Sequence, residues 1–236
     1  MAWFFSGEEI PSDTYLLSGE NQKHARVLRL RKGEEVTVVT PGGEQCTCEA
    51  AEGDLLLVRS RKKCENEPDV FVTLYQALPK GDKMDFIVQK CVELGVSRIV
   101  PMISARCVSR PDERSLGKKR ERWQKIALQA AMQSRRGVIP EVADCVSFRQ
   151  AVELSKENDK TVFFYELGGE SVKKILTDAP GSIGIFIGSE GGFDPSEVEL
   201  AVQNGAKTAT LGKRILRAET APLAAMSIIM YQTNNF

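Results

Sequence analysis

Two short stretches near the end of this chain combine residue types that could bind a small molecule and act on it. They are Ile187-Gly188-Ser189-Glu190-Gly191-Gly192-Phe193 and Leu211-Gly212-Lys213-Arg214-Ile215-Leu216-Arg217-Ala218-Glu219-Thr220-Ala221. Glycines allow positive φ and let the backbone approach a ligand closely. The first stretch is neither a dinucleotide G-x-G-x-x-G nor a Walker A loop, because no lysine follows its glycines. Glu190 inside the glycine run would repel a phosphate, so a neutral or cationic ligand fits better. The second stretch adds two arginines and Glu219 at the entrance to an apolar run. A tight turn with surface ion pairs would use the same residue types. Two loops of one architecture favour a ligand site.

Both loops follow short apolar runs, at 183–187 and 208–211, and precede helical patterns. Asp194 reads as an N-cap, Pro195 as the first helical residue and Glu197 as the capping-box carboxylate, with the helix ending near Asn204-Gly205. Leu223, Met226, Ile229 and Met230 form the packing set of a last helix over 223–231. Upstream, 70–77 and 98–102 read as strands. Residues 83–94 form a helical stripe closed by Gly95, 116–134 a long helix, 147–154 a helix capped by Ser147, and 161–165 another strand. Strands alternating with helices predict an α/β domain with a mainly parallel sheet, which binds ligands at its C-terminal edge.

The first 70 residues have a different rhythm. Strand-like runs at 35–40, 45–51 and 54–62 surround the turn Pro41-Gly42-Gly43, after a short helix at 20–29. This pattern predicts a small β-barrel or sandwich. The charged, proline-containing run 62–69 reads as a linker, giving domains of residues 1–69 and 70–236.

The 236 residues are 42% hydrophobic and 27% charged, as in an ordinary globular protein. No apolar run approaches the roughly 18 residues of a membrane span. The N-terminus lacks the charge and apolar core of a signal peptide, so a cytoplasmic location with no membrane partner is expected. Six cysteines without C-x-x-C and a single histidine point to reduced, structural thiols and no metal site. A net charge of zero hides a pattern. Residues 76–140 hold 14 Lys/Arg against 6 Asp/Glu, whereas each flanking segment holds 9 against 13. A local basic surface is what a polyanion needs, although a solvated helix face would have the same composition.

The two loops resemble the cofactor motifs of the SPOUT methyltransferases, in particular the RsmE family. That family's pattern runs approximately G-P-E-G-G-F/L and then L-G-x-R-I-L-R-x-E-T-A. The likeness extends to Lys80-Gly81-Asp82-Lys83-Met84-Asp85, to Gln89-Lys90-Cys91-Val92-Glu93-Leu94-Gly95-Val96 and to Ala105-Arg106. It continues through Arg122-Trp123-Gln124-Lys125-Ile126-Ala127 and Gln133-Ser134-Arg135-Arg136, and includes His24-Ala25-Arg26-Val27-Leu28-Arg29. It therefore covers nearly the whole chain, in order. Ser189 stands where the family usually has proline, and Ala218 where threonine is common. The first change leaves the loop less pre-set in φ; the second removes a hydroxyl.

The resemblance implies a C-terminal α/β domain with a deep trefoil knot, an exception to the rule of unknotted chains. It also implies an N-terminal PUA-like RNA-binding β-barrel, a homodimer, and S-adenosylmethionine as cofactor. The activity implied is methylation of N3 of a uridine in 16S ribosomal RNA, and the expected partner is that RNA within the small ribosomal subunit. The implied cofactor residues are Leu167, Gly188, Glu190, Gly191, Gly192, Leu211, Gly212, Ile215, Leu216 and Arg217. Uridine N3 carries a proton at neutral pH, so a cation that stabilises the developing anion is the natural catalyst. Arg217 is the first candidate for that role, with Arg106 and Arg136 as substrate-side alternatives, and Glu219 orients an arginine or accepts a proton. His24, Arg26, Arg29, Arg106, Arg120, Arg122, Arg135 and Arg136 are the candidate RNA contacts, most of them able to meet phosphates without reading sequence. Trp123, in an apolar helical stripe, reads as core rather than as a platform for a base. The competing readings are a non-catalytic RNA-binding or ribosome-assembly factor and a methyltransferase of another RNA.

Overall fold

Alternating burial builds the first unit. A computed structural model describes residues 2–178 and 180–236, and the chain divides into two units. One runs to Glu67 and includes Ala131–Ile139; the other comprises Pro68–Ala130 and Pro140–Phe236. In the first unit, β1 (Ala2–Phe5), β2 (Thr14–Leu16), α1 (Gly19–Leu28), β3 (Glu35–Val39), β4 (Glu44–Ala50) and β5 (Leu55–Lys63) follow in order. The strands make one sheet in the order β1-β3-β4-β5-β2. Val36, Val38, Cys46, Cys48 and Ala50 face one side and pack with Phe4, Leu17 and Leu56 in a closed apolar core, as the period of two requires. The turn at Gly43 takes φ 77°, which its missing Cβ permits.

This sheet is a half-barrel where the sequence pattern predicts a small barrel or sandwich. Its edges are β1 and β2, and closure would require them to pair. Instead β1 runs parallel to β3, and β2 has only three residues, all paired to β5. Neither short strand has an alternation that announces it.

The supposed linker carries an anchor. Glu67 accepts from Arg136 Nε and Nη2 at 2.8 and 2.7 Å and from the Gly137 N–H at 2.7 Å. Trp3 Nε1 donates to the Arg136 carbonyl at 3.0 Å. These contacts make residues 131–139 part of the first unit.

The second unit contains β6 (Phe71–Ala77), α2 (Lys83–Glu93), β7 (Arg98–Ile103), α3 (Glu113–Gln133, whose last turn belongs to the first unit), β8 (Glu141–Val142), β9 (Val146–Ser147) and α4 (Phe148–Ser155). It continues with β10 (Lys160–Phe164), α5 (Val172–Ile175), β11 (Ser182–Ile187), α6 (Pro195–Gln203), β12 (Lys207–Ala209) and α7 (Thr220–Gln232). The seven-stranded sheet has the order β12-β10-β11-β6-β7-β8, with β9 also on β7. Every pairing is parallel. The central strands are continuous apolar runs because both faces are covered: Val72, Leu74, Val162, Phe163, Ile183 and Ile185 have no exposed surface.

Two caps follow the local sequence. Ser147 and Gln150 close a capping box on α4, and Asp194, Pro195 and Glu197 occupy the N-cap, first-turn and box positions of α6. The α7 helix packs on α2, α5 and β11. Chain order changes direction around β6 and β11. From β6 the next strand, β7, lies on one side, whereas β11 is inserted between β10 and β6 and is followed by β12 at the opposite edge. A crevice opens beyond the C-terminal ends of strands at such a reversal.

Candidate active site

Beyond the ends of β10, β11 and β12 lies a cavity of about 520 Å³, walled by residues 187–192, by 210–218, by Phe164, Tyr165 and Glu166, and by Lys83 and Ala221. The glycine loop turns tightly, with the Gly192 N–H donating to the Ser189 carbonyl at 3.0 Å. Gly192 has φ 67°, and a Cβ there would collide with the Glu166 carboxylate. A Cβ on Gly191 would lie 3.0 Å from that of Arg106, and one on Gly188 would lie 3.2 Å from the Gly192 backbone. Of these, only a side chain on Gly192 would enter the space beside Glu166; the others would push on the loop itself or on Arg106. Phe193 pins the end of the loop, its buried ring 4.4 Å from that of Phe163. Arg106 holds the outer side, donating to the Gly191 carbonyl at 3.2 Å and lying 3.6 Å from Asp194.

Glu190 does not project freely. It accepts from the Lys80 N–H at 3.2 Å and from Lys83 Nζ at 2.9 Å. The same ammonium lies 3.1 Å from Glu219, at the start of α7. Burial pushes the Glu190 carboxyl up, but its bonds to Lys83 and to the Glu190 and Lys80 N–H groups outweigh that and hold it below the ordinary range. Glu219 is held low by its own N–H, then by Lys83, with a contribution from the field of Arg217. Lys83 is correspondingly raised, by Glu190 first and Glu219 second. Both carboxylates are thus ionised at neutral pH.

Other charges at the cavity have no such partners. Lys213, Arg214 and Arg217 are exposed, and among the described residues they make no ion pair. Glu166, also exposed, is in the same position. The cavity wall therefore carries the carboxylates of Glu166 and Glu190 beside the cations of Lys83, Lys213, Arg214 and Arg217.

Residues 66–230 match the family of the RNA methyltransferase domain. The chain is 37% identical to the ribosomal RNA small subunit methyltransferase E of Bacillus subtilis, over 96% of this chain and 92% of that one. This chain belongs to the ribosomal RNA small subunit methyltransferase E family. The Aquifex aeolicus member is 33% identical over 96% of this chain and 98% of its own. The crystal structure of the Neisseria gonorrhoeae member bound to S-adenosyl methionine superposes with a TM-score of 0.87 at 33% identity, covering 98% of this chain and 97% of that one.

Of the cofactor residues that the methyltransferase E resemblance implies, Gly188, Glu190, Gly191, Gly192, Leu211, Gly212, Ile215, Leu216 and Arg217 all line the cavity. Leu167 does not; it sits next to Glu166 and is 78% exposed. Lys83, Tyr165, Glu166 and Thr210 line it as well; of these the sequence motifs include only Lys83, and without a role in the site. The signal available for Glu166 was its place just past a strand end, and for Lys83 a cation in the first turn of a helix.

The candidate RNA residues divide between the units. In the first, His24 meets the Phe4 ring edge-on at 5.6 Å, Arg26 lies 3.8 Å from Asp54, and Arg29 closes α1 in the left-handed region. Arg135 is exposed, whereas the Arg136 side chain is only 4% exposed in its pair with Glu67. In the second, Arg120 pairs with Asp144 at 3.3 Å, Arg122 with Asp85 and Asp82, and Arg106 serves the glycine loop. Trp123 is buried and donates to Asp85.

The cysteines are free. Burial pushes Cys48 and Cys145 up to about 12, so they remain protonated thiols. Among the described residues no group of His, Cys, Asp and Glu could hold a metal, and no helix is long and apolar enough to cross a membrane.

Proposed function

We propose that this protein is an S-adenosylmethionine-dependent methyltransferase that methylates N3 of a specific uridine in 16S ribosomal RNA. The observation that carries the reading is the cavity at the strand ends, framed by the glycine loop and the arginine loop. Its volume lies within the roughly 300–1,000 Å³ of small-molecule sites. Gly192 leaves space beside Glu166 that a Cβ would fill, and the carboxylates of Glu166 and Glu190 suit a cationic ligand rich in hydrogen-bond donors. When bound, S-adenosylmethionine supplies an activated methyl group on a sulfonium.

The chain's own residues bind, orient and neutralise. The backbone of 188–192 and 211–216 holds the cofactor, and Glu166 accepts from its donors. Arg217, exposed on the cavity wall, faces the incoming base and stabilises the negative charge that develops as N3 gives its proton to solvent water. Glu219, held low by its own N–H and then by Lys83, orients Arg217 through its field; a carboxylate held low is a poor proton acceptor. Positioning is the larger contribution, because an in-line transfer needs little covalent help. Exposed Arg29 and Arg135, with His24 and Arg26, contact the RNA on the first unit. Arg106, Arg120 and Arg122 line its path on the second, and Arg136 completes the set by holding 131–139 in place.

The inserted strand β11 and the packing of α7 on α2, α5 and β11 fit a trefoil knot. The half-barrel fits a PUA-like module over residues 1–69, with the methyltransferase domain over 70–236. On α7, Tyr231 is 75% exposed and Ile228 36%, an apolar surface suited to a homodimer. The partner is the small ribosomal subunit, in the cytoplasm.

The test is transfer of labelled methyl groups to small ribosomal subunits and to naked 16S RNA, with the nucleoside identified chromatographically. Label in 3-methyluridine is the expected result. Label in another nucleoside refutes the substrate, and cofactor binding without transfer supports a non-catalytic scaffold.

A further inference from the structure

We propose that Lys83 is a positioning residue of the cofactor site, tying the glycine loop to the start of α7 through Glu190 and Glu219. The proposal rests on the methyltransferase reading above and deepens it. Three segments far apart in sequence converge on one ammonium: α2 supplies Lys83, the glycine loop supplies Glu190 at 2.9 Å, and the α7 entrance supplies Glu219 at 3.1 Å. The side chains of Lys83, Glu190 and Glu219 are 35%, 28% and 20% exposed, so water screens them only partly.

Lys83 differs from a surface ion pair in what it connects. Glu190 is already fastened to the loop before α2 through the Lys80 N–H, and Lys83 extends that attachment across the cavity to the second loop. Both loops wall the cavity that Lys83 itself lines. Without the ammonium, two carboxylates would face one another with no cation between them. Like charges at that range repel, so the loops would separate or one group would take up a proton. Either outcome changes the spacing of the walls that grip the cofactor. Lys83 donates to Glu190 and meets Glu219 as an ion pair at 3.1 Å, and one compact ammonium between two carboxylates is a point-charge geometry that the planar guanidinium of arginine meets only in part.

The test measures S-adenosylmethionine and S-adenosylhomocysteine binding to the full chain by calorimetry, with thermal unfolding run in parallel. Lys83→Met should weaken binding of both at least tenfold while the protein stays folded. Lys83→Arg should recover part of the loss, which a merely structural lesion would not predict. Once Lys83 is gone, adding Glu190→Gln should cost less than it does in the wild type. If Lys83→Met does not fold, the Glu190→Gln/Glu219→Gln variant, with Lys83 retained, should show the same tenfold loss. Wild-type-like affinity in a folded Lys83→Met, or in the double glutamine variant, overturns the proposal. Failure of the unaltered protein to bind either compound overturns the methyltransferase reading, and the role of Lys83 with it.

Discussion

Glu197 Oε1 accepts from the Ala105 N–H at 2.8 Å, while Oε2 accepts from the Asp194 N–H at 3.0 Å. One carboxylate, 8% exposed, thus closes the capping box of α6 and fastens the segment after β7 to the glycine loop's exit. Glu197→Ala removes acceptors from two backbone N–H groups. We expect a loss of about 1–3 kcal/mol in unfolding free energy, measured by denaturant titration. Glu197→Gln, which keeps one good acceptor, should fall between it and the wild type.

Glu166 and Gly192 test the cradle. Glu166→Gln keeps the shape and removes the charge. Hydrogen bonds to a charged group contribute about 1.5–3 kcal/mol, so cofactor affinity should drop by roughly 10- to 100-fold with little change in stability. Gly192→Ala should harm both, since its Cβ would meet Glu166 at a positive φ that alanine disfavours. Calorimetry and thermal unfolding separate the two variants.

Arg217 tests the chemistry. Arg217→Ala should lower kcat by about 10²-fold or more, the scale on which preorganised donors act on developing charge. Cofactor affinity should change only a few-fold. A variant that loses affinity but keeps kcat would instead make Arg217 a binding group. Single-turnover methyl transfer to small subunits reads the difference.

Adjacent arginines should behave oppositely. Arg136→Ala leaves Glu67 without the guanidinium that it grips, and should reduce the unfolding free energy by about 2–4 kcal/mol. Arg135→Ala should leave stability within about 0.5 kcal/mol but weaken RNA binding and flatten its salt dependence by about one phosphate contact. Denaturation and filter binding over a salt series check both.

The pH dependence follows from the carboxylates beside Lys83. Glu190 and Glu219 have folded-state values below their ordinary ones. Their contribution to stability is present above the unfolded value, near about 4.3, and disappears as pH falls through the depressed folded value. Lys83 is raised, so its contribution is present below the unfolded value near about 10.4 and is lost as pH rises through the folded one. Stability should therefore show no change from this cluster across neutral pH, with losses at the acid and alkaline ends. Lys83→Met should move the acid loss to higher pH, and urea unfolding at a series of pH values would reveal it.

Residues close together in sequence determined the caps of α4 and α6, the helix stop at Gly95, the buried parallel strands and the two cavity loops. Their physics is local: a cap, a positive φ or a periodic stripe involves neighbours within a turn or a strand. The family followed from the same loops and from motifs spread along the chain. The partnership of Lys83 with Glu190 and Glu219, the reach of Glu197 to Ala105 and the burial of Arg136 against Glu67 came only with the tertiary structure. So did the open edges of the first sheet, since strand pairing between β1 and β3 has no local signature. Charge and position in a helix look alike whether a side chain faces water or a distant carboxylate. Arg135 and Arg136 are chemically equivalent in the sequence; packing made one exposed and the other structural.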